Sequence, residues 1–446
     1  MSLDLKRAVA QPITSVDALV DVFREAEKPR AEHRLGIEHE KFVYPKAVAK
    51  PVPYEGPSGI GALLEKMAAG GGYTPFRETP DSPVIALQRG METVSLEPGG
   101  QLELSGSPFF TAREAHAENL RHLAEAKAAG DSLGLQLVAL GYRPFGTTAD
   151  IPWMPKTRYK VMRRTLPERG RLALNMMLNT STGQASYDWA DEEDCVRKTV
   201  LVARLAPLMV ALYANSPLVE GKPSGWMTFR SRVWEEVDPT RCGYLPAFFD
   251  GSFSYRAYVE WALDAPLLFL RRRGEYLHPK LSFRQLLKEG FEGQPADMGD
   301  WTDHLSTLFP EVRLKKVIEV RGADCVSAEM TGALGALWRG LLYDRTALEE
   351  GERLLPKLSF TEHQAFHQTA RQQGLAGRLG QQELHRLTAE MVAIARRGLE
   401  RLDPRDAPLL EPLARVAASG RSPAQAVLDA WEKDPRPEAL LSRFTL

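Results

Sequence analysis

Two periods of hydrophobic and polar positions organise the chain. Ser15 precedes a run, 16–27, in which Leu19, Val20 and Phe23 fall on one side, which predicts an N-capped helix. Residues 34–44 alternate and predict a strand. Residues 60–67 predict a short helix, stopped by Gly70, Gly71 and Gly72. From Tyr73 to Leu104 the period is two, with strands predicted at 83–88, 93–96 and 101–104. Residues 111–129 predict a long helix and 136–140 a strand. A short helix follows Pro155, then two strands at 174–181 and 184–189, and a helix at 191–213. The longest apolar stretch, 200–214, is broken by Arg204 and Pro207 and is too short to span a bilayer. A Gly-, Pro- and Ser-rich loop, 215–225, leads to a mixed region, 226–281, of aromatic strands and short helices. Residues 300–309 predict a helix and 314–321 a strand.

After about Thr331 the helical period takes over, at 333–343, 345–354, 362–373, 382–402, 408–418 and 423–433. The pattern predicts an α+β fold with an α+β core at 1–330 and a C-terminal helical region, 331–446, packed on it.

Composition narrows the class. The chain has 446 residues and is 43% hydrophobic, enough for a large core without covalent staples. Lys and Arg total 57 and Asp and Glu 58, so the net charge is -1. That excludes a global basic field for nucleic acid and an acidic disordered tail. Three cysteines, Cys195, Cys242 and Cys325, are too few and too scattered for a disulfide framework or a zinc site. A reducing cytoplasm is the expected location. The first twenty residues carry Asp4, Lys6, Arg7 and Asp17 and no unbroken apolar core, so no secretory signal is expected. There is no HExxH, GxSxG, GxxxxGK[ST] or GxGxxG.

Four stretches place charge where strands should run. In Gly36–Phe42, alternation sets Glu38 and Glu40 on one face of a strand and Ile37, His39 and Lys41 on the other. Two neighbouring carboxylates repel, and a divalent cation removes that penalty. The competing reading is a solvated strand edge. In Ser95–Gly106, Glu97 and Glu103 flank a Pro-Gly-Gly turn; the alternative is a plain hairpin with exposed acids. In Lys315–Asp324, Glu319 and Arg321 share a face, suiting a cation and phosphoryl oxygens respectively, or else a surface ion pair. In Met227–Trp234, Arg230 and Arg232 alternate with Phe229 and Val233, which places both guanidiniums on one face of a strand, with Arg241 following. The turn at Gly56–Gly61 could cradle a phosphate or simply open a helix.

In this order, the four stretches resemble the glutamate–cysteine ligases of the plant and proteobacterial type, within the glutamine-synthetase-like carboxylate–amine ligases. Further similar segments are Pro155–Met162, Met176–Trp189, Tyr213–Pro217, Glu220–Pro223, Arg230–Pro246 and His304–Lys315. The resemblance implies a curved, mainly antiparallel six-stranded sheet with surrounding helices. It implies ATP, L-glutamate and L-cysteine as ligands, with two or three Mg²⁺. It implies ATP-dependent formation of γ-glutamylcysteine through γ-glutamyl phosphate, the first step of glutathione biosynthesis.

Carried over residue by residue, the metal candidates are Glu38, Glu40, Glu97, Glu103, Gln184 and Glu319. Arg321 and Glu319 are the catalytic candidates. Arg230, Arg241, Trp234 and Met177 are the substrate- and ATP-binding candidates. The expected enzyme is cytoplasmic, a monomer or homodimer, with no nucleic-acid or membrane partner. Cys242 and Cys325 stand where the family pattern leads one to expect Thr and Gly, and the plant disulfides do not map here, so three reduced thiols are expected. The alternatives are a γ-glutamyl ligase for a different amine and a non-catalytic nucleotide- or glutamate-binding protein. Retention of Glu38, Glu40, Glu103 and Glu319 argues against the second.

Overall fold

A computed structural model describes residues 11–446. The first half of the stretch read as lacking a signal, 1–10, lies outside the described residues.

The fold is built around one long strand, β1 (Leu35–Pro45). Its alternation buries Leu35 and Ile37 on one face and turns Glu38 and Glu40 to the other. Eight more strands join it: β2 (Thr74–Phe76), β3 (Ala86–Arg89), β4 (Glu92–Leu96), β5 (Leu102–Ser105), β6 (Leu135–Val138), β7 (Thr182–Tyr187), β8 (Val312–Leu314) and β9 (Ile318–Asp324). The sheet order is β8-β9-β7-β1-β5-β4-β3-β2, with β6 pairing the far end of β1. Neighbours run antiparallel. The sheet has nine strands rather than the six that the resemblance implies, because β2, β6 and β8 are short additions at its margins. Between Val320 and Ala323 the β9–β7 register shifts by a bulge.

Helices cover one face. Those that bear on the site are α1 (Ala112–Ser132), α2 (Thr157–Thr165), α3 (Ala173–Asn179), α4 (Glu192–Tyr213), α5 (Phe229–Trp234), α6 (Ala328–Tyr343), α7 (Phe360–Gln373) and α8 (Leu384–Leu402). Leu35, Ile37, Ala185, Tyr187 and Val320 from the sheet share one apolar core with Leu334 of α6, Leu208 of α4 and Met391 of α8. Each buried Leu, Ile, Val or Met side chain contributes about 1.5–3 kcal/mol on leaving water. Residue 331, the expected boundary, lies within α6, whose apolar side chains belong to the same core as the strands. Among the described residues no helix is long and apolar enough to cross a membrane.

Several local expectations are corrected. Residues 174–181 were expected to be a strand but 173–179 form α3, because Ala-Leu-Asn-Met-Met-Leu is rich in straight-chain helix formers and a short apolar run carries no period. Residues 229–234 are also helical: Thr228 caps α5 by accepting from the Ser231 amide. On a helix, residues two apart diverge by about 200°. Arg230 therefore turns inward, while Arg232 pairs with Glu235 and Glu236 outside. The helix expected at 300–309 spans Met298–Ser306, and Phe309–Pro310 instead pairs in parallel with Cys242–Gly243. The helix expected at 191–213 is found as α4, 22 residues long from the Asp191 cap and running through Pro207. All three cysteines are free thiols.

Candidate active site

Cross-strand register assembles one polar face. Glu38 lies opposite Gln184 on β7 and Ser105 on β5; Glu40 lies opposite Glu103; Glu103 in turn faces Ser95 on β4. Directly paired residues point to the same side of a sheet, so these groups share the face that the covering helices leave clear. Farther along, Arg313 on β8 pairs with Glu319 on β9.

Glu97 reaches the same space from the β4–β5 turn. Gly100 in that turn has a φ of +81°, and a Cβ on Gly99 would stand 2.5 Å from the Leu178 carbonyl oxygen. The tight glycine turn thus lets the end of α3 press against it. Arg143 fixes both partners, donating to the carbonyls of Gly99 (2.7 Å) and Leu178 (3.1 Å).

The result is a narrow pocket of about 60 Å³ lined by Glu40, Glu97, Gln184, Arg230, Arg321 and Arg313, with Met177 and Trp234 among its apolar walls. A larger chamber of about 290 Å³ adjoins it and shares Arg230, Trp234, Phe309 and Arg321.

The carboxylates divide into two electrostatic groups. Burial, then the nearby charges of Glu97 and Glu38, push the Glu40 carboxyl up to about 8, against partial relief from Arg230. Glu40 accepts from the Thr182 amide at 3.0 Å. Oε1 of Glu97 is buried with no hydrogen-bond partner. Glu103 is fully buried and accepts from Ser95 Oγ at 2.9 Å. Among the described residues, the buried Glu97 oxygen in particular lacks the partner that its burial calls for.

Glu319 has the opposite surroundings. Arg313 Nε is 2.5 Å from it, Lys315 Nζ 2.8 Å and Arg321 Nη1 3.4 Å. Burial pushes its carboxyl up, but Arg313, Lys315 and Arg321 outweigh burial and hold it well below the carboxylate range. Three cations around one carboxylate leave a positive excess. Arg321 also donates to Gln184 Oε1 at 2.8 Å. Burial, then Arg313, lower the Arg321 guanidinium to about 10. In this arrangement Glu319 and Gln184 orient arginines.

Arg230 is anchored by Asp324. That carboxylate accepts from the Asn215 amide (2.8 Å), Ser216 Oγ (2.6 Å) and Thr228 Oγ1 (2.8 Å), and Thr228 is the cap of α5. Arg230 Nη2 donates to the Arg321 carbonyl at 2.9 Å.

Most of the residues anticipated from sequence therefore come together. Arg241 does not. It is fully buried, paired with Asp238 at 2.7 Å and donating to the carbonyls of Thr307 (3.1 Å) and Pro266 (2.5 Å), so it braces the loop before the Phe309 strand instead of facing the pocket. Sequence reasoning missed Arg313, Thr182, Lys156 and Tyr159. Lys156 Nζ and Tyr159 Oη both donate to the Leu96 carbonyl, at 2.6 and 2.7 Å. Burial lowers the Lys156 ammonium to about 8, with Glu97 opposing. Arg313 was legible as the alternate neighbour of Lys315 in a run opposite Glu319; Lys156 had no comparable signal.

The donor chemistry fits a hard divalent cation. Among the described residues no group of three His, Cys, Asp or Glu side chains forms a closed cage. Mg²⁺ usually takes one or two carboxylates and completes its shell with water and phosphate oxygens. The unpartnered Glu97 oxygen and the charge-starved Glu40 match that demand.

Comparison with known proteins places this arrangement. Residues 34–442 match the glutamate–cysteine ligase family 2 (GCS2). Chloroplastic glutamate–cysteine ligase A of Oryza sativa subsp. indica is 36% identical over 428 residues, covering 95% of this chain and 86% of that one. The chloroplastic glutamate–cysteine ligases of Nicotiana tabacum and Arabidopsis thaliana are each 36% identical, covering 95% and 94% of this chain and 80% of their own. The solved glutamate–cysteine ligase of Francisella tularensis in complex with AMP superposes with a TM-score of 0.55 at 14% identity, covering 92% of this chain and 87% of that one. It shares the fold. The cytoplasmic location expected from the cysteine count is overturned by the plant relatives, which are chloroplastic enzymes.

Proposed function

The chain belongs to the glutamate–cysteine ligase family 2, and from that premise we propose how its own residues perform an ATP-dependent ligation of glutamate to cysteine. An oxygen of the glutamate γ-carboxylate attacks the terminal phosphorus of ATP, and ADP leaves. The cysteine amine then attacks the carbonyl carbon of γ-glutamyl phosphate, loses a proton, and expels inorganic phosphate. The product is γ-glutamylcysteine.

Phosphoryl transfer depends on positioning and on neutralising charge over the phosphoryl oxygens. The observation that carries this reading is the set of buried Arg313 and half-buried Lys315 and Arg321 gathered on Glu319, beside the carboxylates of Glu40 and Glu97. Arg321 borders both cavities, so it is placed to stabilise the phosphoryl group as it moves between nucleotide and acyl donor. Glu319 holds that guanidinium in place. Arg230, fixed through α5 and Asp324, offers a rigid cation to a substrate carboxylate. Trp234 and Met177 supply apolar walls that exclude water. Glu40 and Glu97, with Glu38 and Glu103 beside them, would hold Mg²⁺. When bound, that ion neutralises phosphate charge and makes the terminal phosphorus a better electrophile.

The test is ADP release by the purified chain with ATP, Mg²⁺, L-glutamate and L-cysteine, each omitted in turn, with the product identified by mass. Full turnover requires all four. Equal turnover with glycine or ammonia in place of cysteine would reject the amine assignment.

A further inference from the structure

The larger chamber contains a carboxylate that the steps above do not use. Glu311 is held by its own backbone, whose amide donates to the Gly243 carbonyl at 2.8 Å. Its Oε1 is buried without a hydrogen-bond partner. On its far side the chain has made room for it: a Cβ on Gly322 would lie 2.2 Å from that oxygen. A Glu carboxylate seated against a glycine, with an oxygen left unpaired, is costly unless something positive arrives. Burial raises its pKa, and Arg230, Arg321 and Arg371 offset this only from a distance.

The wall's other buried polar atoms without a partner all carry a hydrogen to donate. Arg230 Nε, Arg371 Nε, Trp234 Nε1 and Tyr244 Oη are all buried and unpartnered around the same chamber. The chamber's second carboxylate, Glu235, is already paired with Arg371 and Arg232. The lining thus offers several donors suited to carboxylate oxygens and one unpaired acceptor suited to an ammonium group. That is the complement of an amino acid with two carboxylates. Arg321 stands where this chamber meets the narrow pocket, so a ligand anchored at Glu311 would direct its distal carboxylate toward the phosphoryl site.

We propose that Glu311 binds the α-ammonium group of the acyl donor and thereby makes the enzyme select an amino dicarboxylic acid over a plain dicarboxylic acid. This rests on the ligase reading above and assigns a specificity residue within it.

The test compares L-glutamate with glutarate, which keeps both carboxylates and lacks the amine, at fixed MgATP and cysteine. The proposal expects the unaltered enzyme to favour glutamate by at least about 10³-fold in kcat/KM, because glutarate leaves Glu311 unpaired. Glu311→Gln keeps size and shape, so it should fold. It should lose about 100-fold in kcat/KM for glutamate while activity on glutarate holds or rises and the KM for cysteine is unchanged. Gly322→Ala, which crowds the same oxygen, should erode the same preference. Three results would overturn the proposal: no preference in the unaltered enzyme, an equal loss on both substrates in Glu311→Gln, or a change confined to the KM for cysteine. If the unaltered enzyme releases no ADP with glutamate and cysteine, the ligase reading itself falls, and the Glu311 assignment with it.

Discussion

On one face of β1, His39 sits 3.1 Å from Asn119 Oδ1 and 3.1 Å from the Val326 carbonyl, and Lys41 Nζ donates to His122 Nε2 at 2.8 Å. On the other face, one residue away in either direction, Glu40 accepts from the Thr182 backbone, and among the described residues its neighbour Glu97 has a bare oxygen. Both faces bury ionisable groups in the same strand. Beneath the helices the groups find protein partners and stay close to neutral: burial, then Lys41, lower the His39 imidazole to about 3, and burial brings the Lys41 ammonium down to about 7. Toward the pocket the cations gather on Glu319, while Glu97 keeps a buried oxygen without a hydrogen-bond partner among the described residues. On the covered face His39 and Lys41 spend their hydrogen bonds on protein partners and support the fold. The pocket face, with that oxygen bare, is prepared for something from outside.

The contrast can be broken by substitution. The largest effect should come from Glu40→Gln, which should cut kcat/KM for γ-glutamylcysteine formation by about 10³-fold or more while leaving the protein folded. Retention of a tenth of the activity would remove Glu40 from the cation site. Glu103→Gln should act in the same direction. Next, Arg313→Met removes one cation from a fully buried pair and should cost about 3–5 kcal/mol in denaturant unfolding. A loss under 1 kcal/mol would mean that Lys315 and Arg321 suffice to hold Glu319. Across the strand, His39→Ala should cost about 2–4 kcal/mol through a cavity and a stranded Asn119, with kcat nearly unchanged in the folded enzyme. An activity loss larger than the stability loss would show that the two faces are not separable.

The smallest effect, and the sharpest comparison, is in pH. Glu40 has a folded pKa raised to about 8 from an ordinary 4.5, so the folded state binds the extra proton between those values. Its contribution to stability is present below pH 4.5 and is lost as pH rises through 8. Lys41 has a folded pKa lowered to about 7 from 10.5, so the unfolded state binds the extra proton, and stability is lost as pH falls from 10.5 through 7. Melting curves without nucleotide should therefore show Glu40→Gln gaining on the unaltered protein as pH rises from 5 to 8. Lys41→Met should gain most below pH 7 and lose that advantage toward pH 10. Parallel trends for the two variants would contradict the assignment.

Much of this was legible in the chain. β1 alternates without interruption, and a period of two assigns Glu38 and Glu40 to one face with no knowledge of their neighbours. The Pro-Gly-Gly turn announced a close approach. The arginines were less legible, because their roles depend on elements too short to carry a period. Arg230 and Arg232 satisfy a strand pattern and a six-residue helix equally well, and the Thr228 cap decides between them. Arg241 has the chemistry of a ligand-binding residue but meets Asp238 three residues away, and only the fold reveals that its donors are spent. The gathering of Arg313, Lys315 and Arg321 on Glu319 depends on the pairing of β8 with β9, which the period of either short strand does not display.

The bulge between Val320 and Ala323 bears on how this gene can change in length. Surface loops elsewhere in a protein absorb an added or missing codon with little harm. At Arg321–Gly322 the chain changes phase, and Asp324 arrives at the hub formed by Ser216 and Thr228 only because of that change. Removing one codon there would bring the Cys325 thiol to the hub in place of the carboxylate, and α5 would lose its mooring. Deletion scanning should therefore find two adjacent intolerant codons in a strand whose individual side chains, Ile318 and Val320, accept conservative exchange.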